Sequence, residues 1–405
     1  MLPVVRIRCM YSAMPRVAIH PSAAIADLLR RQRNRLGLSL REAETRSASL
    51  GDPIPFSTLA RVEQGKVDPG VRRLHSLLRM YGLPVEFAAD VLDLEAMADE
   101  RPAPAPPEVL GRRGVEYIKA GDLRKGLAHL FALRTGEEQS KADRSARQKA
   151  LLAMAVAAGG LGRYELSRHI VEGLLREPPE PDLISRCLVQ AAVCWRHLGS
   201  AEACLAFLLR AEERTEGPAG SQERAFVLHE KAQALLDLSD LKGAEGALRA
   251  ALRCYRRAKD AYGECRAMGV RAEIRLAAGQ WAEALRVARR GRAHAERHGF
   301  RRVRVLRLLD EGRAVAGSGD TEAAIDLFRE ALSGAIRIGD DVARFYAHYH
   351  LWKAHERAGD PSRAAVELEE AAYYGKLLDD VSPEVREVRS AGRPPARRRR
   401  RTPSR

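Results

Sequence analysis

With 405 residues the chain has room for two or three domains with well-buried cores. Aromatics are 5% of the sequence and apolar residues 45%, with Ala, Leu and Arg abundant, which suits helical repeats and not a β-sandwich. The net charge of +15 points to a polyanionic partner. The longest apolar stretch, Ala150 to Leu161, falls short of the ~20 residues a membrane span needs, and Pro3 and Arg6 interrupt the N-terminal apolar run. Cys9, Cys187, Cys194, Cys204, Cys254 and Cys265 form no CxxC pair and read as reduced core thiols of a cytoplasmic protein without membrane association.

Charge is unevenly spread. Residues 1–81 carry 14 basic and 6 acidic side chains, and residues 383–405 carry 9 against 2, while 82–100 hold 6 acidic and no basic ones. A polyanion should therefore meet one of the ends. The first 13 residues lack structure signals, and residues 1–21 are expected to form a disordered arm.

Ser22 can cap a first helix with Ile25, Leu28 and Leu29 inward, ended by Leu36-Gly37-Leu38. Ser39-Leu40-Arg41-Glu42 is a capping box, in which the serine and glutamate side chains satisfy each other's backbone donors. Residues 56–64 form a third helix with Gly65 after its end. Asp68-Pro69 opens a fourth helix, with Leu74, Leu77, Leu78 and Tyr81 inward. A fifth is expected from Pro84 to about Met97, closing a domain over 22–100. The run RPAPAPP at 101–107 cannot continue a helix and marks a stiff linker.

The order LGLSLRE, STLARVEQGK and DPGVRRLHSLLRMYGLP resembles the phage-repressor-like (XRE-type) helix-turn-helix family. The resemblance implies that the third helix enters the major groove of double-stranded DNA. It places Phe56, Ser57, Thr58 and Arg61 where the family reads bases, and Gln64 and Lys66 where it touches phosphate. Arg61 is the favoured reader, since a guanidinium can bond O6 and N7 of guanine together. Ser39, at a helix N-terminus, could offer backbone N–H groups to a phosphate. Two features depart from the family: about five extra residues around Gly51-Asp52-Pro53-Ile54-Pro55, and Glu44 where a small residue normally packs.

From 108 to 382 a turn signal recurs at Gly121, Gly162, Gly199, Ser239, Gly279, Gly319 and Gly359, the last five forty residues apart. Five positions after each stands a small residue, Gly126, Ser167, Cys204, Ala244, Ala284, Ala324 or Ala364. Seven positions before each stands another, Gly114, Ala155, Ala192, Ala232, Ala272 or Gly312, with Trp352 breaking the pattern. Small residues at both places let two antiparallel helices approach closely. Gly299 and Gly339, with Asp379 in phase, mark a second turn per unit. GQWAEAL, GDTEAAI and GDPSRAA at 279, 319 and 359 resemble the tetratricopeptide repeat, whose usual period is 34 residues. The fold class is thus all-α: a five-helix helix-turn-helix domain and an α-solenoid of about seven helix pairs. If the first helix of each pair lines the concave face, as in that family, the groove holds Arg186, Arg196, His229, Gln233, Arg266, Glu273, Arg313, Tyr346, Tyr349 and Lys353. Four arginines and a lysine in that set suit an acidic or C-terminal-carboxylate peptide or protein. The aromatic cluster from Phe345 to Trp352, with Tyr373 and Tyr374, is expected chiefly to cap the solenoid. The Arg-rich tail 383–405 is expected to be disordered.

No P-loop, HExxH, GxGxxG or nucleophile elbow occurs, so neither an enzyme nor a cofactor or metal site is expected. The domain order resembles the RRNPP peptide-sensing transcriptional regulators. That implies a homodimeric, sequence-specific DNA-binding regulator with a peptide or protein in the groove. The alternatives are an interaction adaptor whose N-terminal domain mediates protein contacts or dimerisation, and a solenoid that inhibits a signalling phosphatase or kinase.

Overall fold

The computed structural model describes residues 21–83, 85, 88–89, 91–92, 105–134, 141–176, 179–215 and 222–391. Among the described residues there are nineteen helices and no strand. The chain divides into two compact units, residues 1–95 and 96–405. The arm before residue 21, Cys9, most of the fifth helix over 84–97, linker residues 101–104 and the tail from 392 lie outside the described residues.

The first unit contains α1 (Ala23–Arg35), α2 (Leu40–Ser49), α3 (Phe56–Glu63) and α4 (Gly70–Tyr81). The N-terminal signals act as the sequence implies. Ser22 Oγ accepts from Ile25 N at 3.0 Å, and Ser39 and Glu42 exchange both bonds of a capping box. Asp68 is not the N-cap of α4; its carboxylate accepts from Gly70 N at 2.6 Å and the helix starts two residues later. Ile25, Leu29, Leu59, Leu77, Leu78 and Tyr81 form the core, with Leu74 half-buried beside it.

The second unit is a run of paired helices. The pairs are α5 (Pro107–Ala120) with α6 (Leu123–Arg134), α7 (Lys141–Gly160) with α8 (Tyr164–Arg176), and α9 (Pro181–His197) with α10 (Ala201–Arg214). Then come α11 (Gln222–Asp237) with α12 (Leu241–Arg257), α13 (Ala261–Ala277) with α14 (Trp281–Arg297), α15 (Arg301–Gly317) with α16 (Thr321–Ile338), and α17 (Asp341–Arg357) with α18 (Pro361–Lys376). A last short helix, α19 (Pro383–Ala391), follows.

Every within-pair turn signal adopts a left-handed backbone, from φ 63° at Ser239 to 100° at Gly319. Ser239 does so without the freedom of a glycine, and Lys259, at φ 52°, does the same in the second turn, in phase with Gly299 and Gly339. The small residues flanking the turns are buried throughout. A Cβ on Gly312 would come within 2.4 Å of the Phe328 ring, so the α15–α16 approach needs the missing side chain. The first helices of successive pairs pack directly on one another, which puts α9, α11, α13, α15 and α17 on the inner side of the superhelix.

The superhelix also closes on itself. Asp379 N donates to Gly162 O and Val381 N to His197 O, each at 3.0 Å, and Glu165 N donates to Asp379 Oδ2 at 3.0 Å. Asp379 therefore caps α8, a helix 214 residues earlier in the chain, and not a helix of its own repeat. Arg302 adds a second tie, donating to Asp340 Oδ2 at 2.7 Å and to Gly160 O at 2.8 Å.

The expected disorder of 383–405 is corrected over its first nine residues. Val385 and Val388 of α19 are fully buried against Phe345, Trp352, Ala371 and Leu378. Two valines one turn apart supply a stripe that the surrounding charge conceals in the sequence. This explains Trp352 at a small-residue position: it faces the end cap. The predicted capping role of the aromatic cluster fits this arrangement, although Tyr373 remains 58% exposed.

Asp240, Asp260, Asp320, Asp340 and Asp360 each accept a backbone N–H at the start of α12, α13, α16, α17 and α18, whereas Gln280 before α14 makes no such bond. Gln280→Asp should therefore stabilise the chain by about 0.5–1 kcal/mol, read as a raised urea midpoint at unchanged slope.

Candidate nucleic-acid interface and repeat groove

Helix α3 is held by a buried ion pair. Arg33 of α1 grips the Glu63 carboxylate through Nε at 2.8 Å and Nη2 at 2.8 Å, and donates from Nη1 to Leu38 O at 2.7 Å. Both side chains are largely out of water, at 13% and 6% exposure, and the carboxylate raises the Arg33 pKa. Tyr81 of α4 donates its hydroxyl towards Glu63 at 3.4 Å, while Gln32 donates to Tyr81 O at 3.0 Å. These bonds and the buried Leu59 and Val62 fix which face of α3 turns inward.

The opposite face carries the sequence-predicted readers. Phe56, at 46% exposure, Ser57, Arg61 and Gln64 are exposed, Thr58 is half-buried, and Lys66 is exposed just past the helix end. Arg61 meets no carboxylate among the described residues. Ser39 fits its assigned role less well, because its own N–H is taken by Glu42 Oε2 at 2.7 Å, which sets a carboxylate at the α2 N-terminus.

Both departures from the family pattern find a place. Ile54 of the extra loop is 2% exposed and its N–H donates to Ser47 Oγ at 2.8 Å, while Ser76 Oγ bonds Asp52. Beside Glu44, which is half-buried, the fully buried Ala43 and buried Ser47 supply the small contact surface of α2.

In the solenoid, the residues assigned to the groove sit on the inner helices, but their charges are largely paired. Arg196 meets Asp237 at 3.0 Å and Arg266 meets Glu230 at 2.8 Å. Gln233 donates to Glu273 at 3.0 Å, and Arg313 stands 3.6 Å from Asp310. Tyr349 and Lys353 both reach Glu387 of α19, at 2.8 and 3.1 Å. Arg186 is exposed and Tyr346 half-buried. Asp237, Glu230 and Glu387 come from other helices than the residues they pair with and carry no local signal in the sequence, whereas Asp310 stands three residues before Arg313 on the same helix. Sequence reading also missed Arg307, only 5% exposed, whose guanidinium fills the space left by Gly269 and whose aliphatic stem packs at Gly291, beside Asp310.

His229 lies on the inner helix α11 at 2% exposure, and its Nδ1 has no hydrogen-bond partner. Burial first, then the neighbouring Arg266, lowers its pKa to about 3. Among the described residues the five cysteines are all buried, and burial pushes the Cys187 and Cys265 thiols up to about 11 and those of Cys194 and Cys204 to about 12. No group of three or more His, Cys, Asp or Glu side chains is arranged to hold a metal among the described residues, and no helix there is long and apolar enough to cross a membrane.

Stability should respond to His229. In the unfolded chain it titrates near 6.5, so below that pH the unfolded state binds the extra proton and stability falls as pH drops towards 3. Glu230, whose pKa is lowered chiefly by Arg266 against its burial, loses its contribution in the same direction at lower pH. Urea titrations between pH 7 and 4.5 should show this decline, and His229→Gln should flatten it whatever the variant's stability at pH 7.

Comparison with known proteins agrees with this division. Residues 24–90 match the helix-turn-helix domain family. No curated protein matches the chain. Among solved structures, a Rap protein complexed with competence and sporulation factor aligns at a TM-score of 0.53 and 13% identity, over 67% of this chain and 77% of that one. PlcR of Bacillus thuringiensis, in complex with the peptide PapR7 and DNA, aligns at 0.36 and 12% identity, over 91% and 99%. The competence regulator ComR of Streptococcus vestibularis, in its apo form, aligns at 0.24 and 11% identity, over 91% and 97%. At such identities the likeness to Rap is one of fold. Residues 24–90 form a helix-turn-helix domain, and a tetratricopeptide-like solenoid follows it.

Proposed function

We propose that the chain is a cytoplasmic, sequence-specific DNA-binding transcriptional regulator whose solenoid binds a regulatory peptide or protein. The observation that carries this is the two-sided build of α3: Leu59, Val62 and Glu63 are clamped inward, and Phe56, Ser57, Arg61 and Gln64 are exposed on the helix to which the phage-repressor-like resemblance assigns the major groove. A rigid helix with an exposed guanidinium is the geometry that direct readout of guanine needs. Gln64 and Lys66 flank it as phosphate contacts. The domain is small, so useful affinity requires a homodimer on two half-sites about one helical turn apart.

The inner helices α9 to α17 are the proposed ligand surface, with Arg186, Arg196, His229, Gln233, Arg266, Glu273, Arg313, Tyr346, Tyr349 and Lys353 along it. Paired charges of both signs fit a peptide backbone or a zwitterionic segment better than a purely acidic one, because each internal pair can exchange one partner for the ligand. PlcR was solved with the peptide PapR7 and DNA, and the Rap protein with competence and sporulation factor, which agrees with this reading as analogy.

Arg61→Ala tests the DNA arm. It should cost about 1–3 kcal/mol against the preferred duplex and relax preference at one base position, with unchanged thermal unfolding. A variant that discriminates between sequences as the parent does would remove Arg61 from the reading set.

A further inference from the structure

Among the outer helices of the solenoid, two neighbours, α12 and α14, carry the most cations, five each. On α12, Lys242, Arg249, Arg253, Arg256 and Arg257 are exposed, with Lys259 in the turn after it. The sole acid of that stretch, Glu245, is turned to Arg271 and Arg275 of α13. On α14, Arg286, Arg289, Arg290 and Arg297 are exposed, and its two acids, Glu283 and Glu296, are each engaged by an arginine. Arg249 and Arg289 share one register position a repeat apart, as do Arg257 and Arg297. The flanking outer helices break the pattern: α10 carries Glu202, Glu212 and Glu213, and α16 carries Glu322, Asp326 and Glu330.

We propose that this outer face of α12 and α14 is a second, sequence-independent surface for double-stranded DNA, separate from the reading helix α3. Each of the two 17-residue helices is about 25 Å long and displays cations along most of its length. A duplex presents roughly one negative charge per 1.7 Å of axis, so a linear array of this kind meets phosphates along its whole extent.

The chemistry favours a polyanion over a protein surface. A protein interface needs an apolar centre, and between these cations stand Gly246, Ala258 and Ala293. Trp281, 37% exposed, sits at the first residue of α14, away from the middle of the array. Insertion into a membrane would likewise require an apolar face, which leaves only headgroup attraction for the vesicle arm of the test to exclude. Arg249, Arg253, Arg290 and Arg297 meet no carboxylate among the described residues, so binding there breaks no existing ion pair.

The test uses the full chain and a scrambled duplex, recording log Kd against log salt. Changing Arg249, Arg253, Arg290 and Arg297 together to Gln should reduce the slope by about three to four, since each phosphate contact contributes about 0.9. Arg329, Arg337, Arg363 and Lys376, exposed cations elsewhere on the solenoid, serve as the control set: their change to Gln should move the slope by less than one. An unchanged slope in the first variant, or an equal fall in both, overturns the proposal. Loss of binding to anionic phospholipid vesicles with the DNA slope intact overturns it in favour of a membrane. Preference for a native over a scrambled duplex should survive the first variant and weaken in Arg61→Ala, so this surface and the reading helix fail separately.

Discussion

The solenoid depends on one constraint: two helices must come close enough, across a left-handed turn, for their backbones to be separated by little more than small side chains. Alanine, glycine, serine or cysteine on both sides of each turn satisfies it in six of seven pairs. Once one pair closes, its outer surface is the template for the next, and inner helices line up in sequence order. The forty-residue period lets each helix run for about seventeen residues in the central repeats. Helices that long carry the inner surface through several turns, each contributing a polar position.

That inner surface is built from charges that answer one another across repeats. Glu230, buried, serves Arg266 of the next repeat, and Arg196 reaches forward to Asp237. Such pairs add little net stability, since desolvation offsets attraction, but they fix the register between neighbouring inner helices. Under the proposed function, a ligand entering the groove would meet charges that are mostly paired already and would have to exchange partners with them. Closure by Asp379, Val381 and Arg302 then ties the late repeats to the turns of the early ones.

Much of this was legible in the sequence because it is local. Capping serines and aspartates, left-handed glycines and small residues at fixed offsets each act within a few positions, and α3 shows its two faces in eight letters. What stayed hidden is long-range. Nothing near Asp379 announces that it caps α8, and α19 hides two buried valines in a charged run. Ser239 stood out only through its phase, and Lys259 not at all, because serine and lysine are not the residues a left-handed turn leads one to look for. The acidic partners of Arg196 and Arg266 lie on the neighbouring inner helix, about forty residues away, beyond the reach of any local pattern.

The proposed regulator must read DNA sequence. The most direct measurement titrates the full chain, and a version ending at residue 391, onto the duplex upstream of its own coding region, with scrambled duplex as competitor at two salt concentrations. The account predicts a preference for the native duplex that survives higher salt and loss of the tail. Equal affinity for both duplexes, vanishing with salt, would contradict it and leave phosphate contact alone.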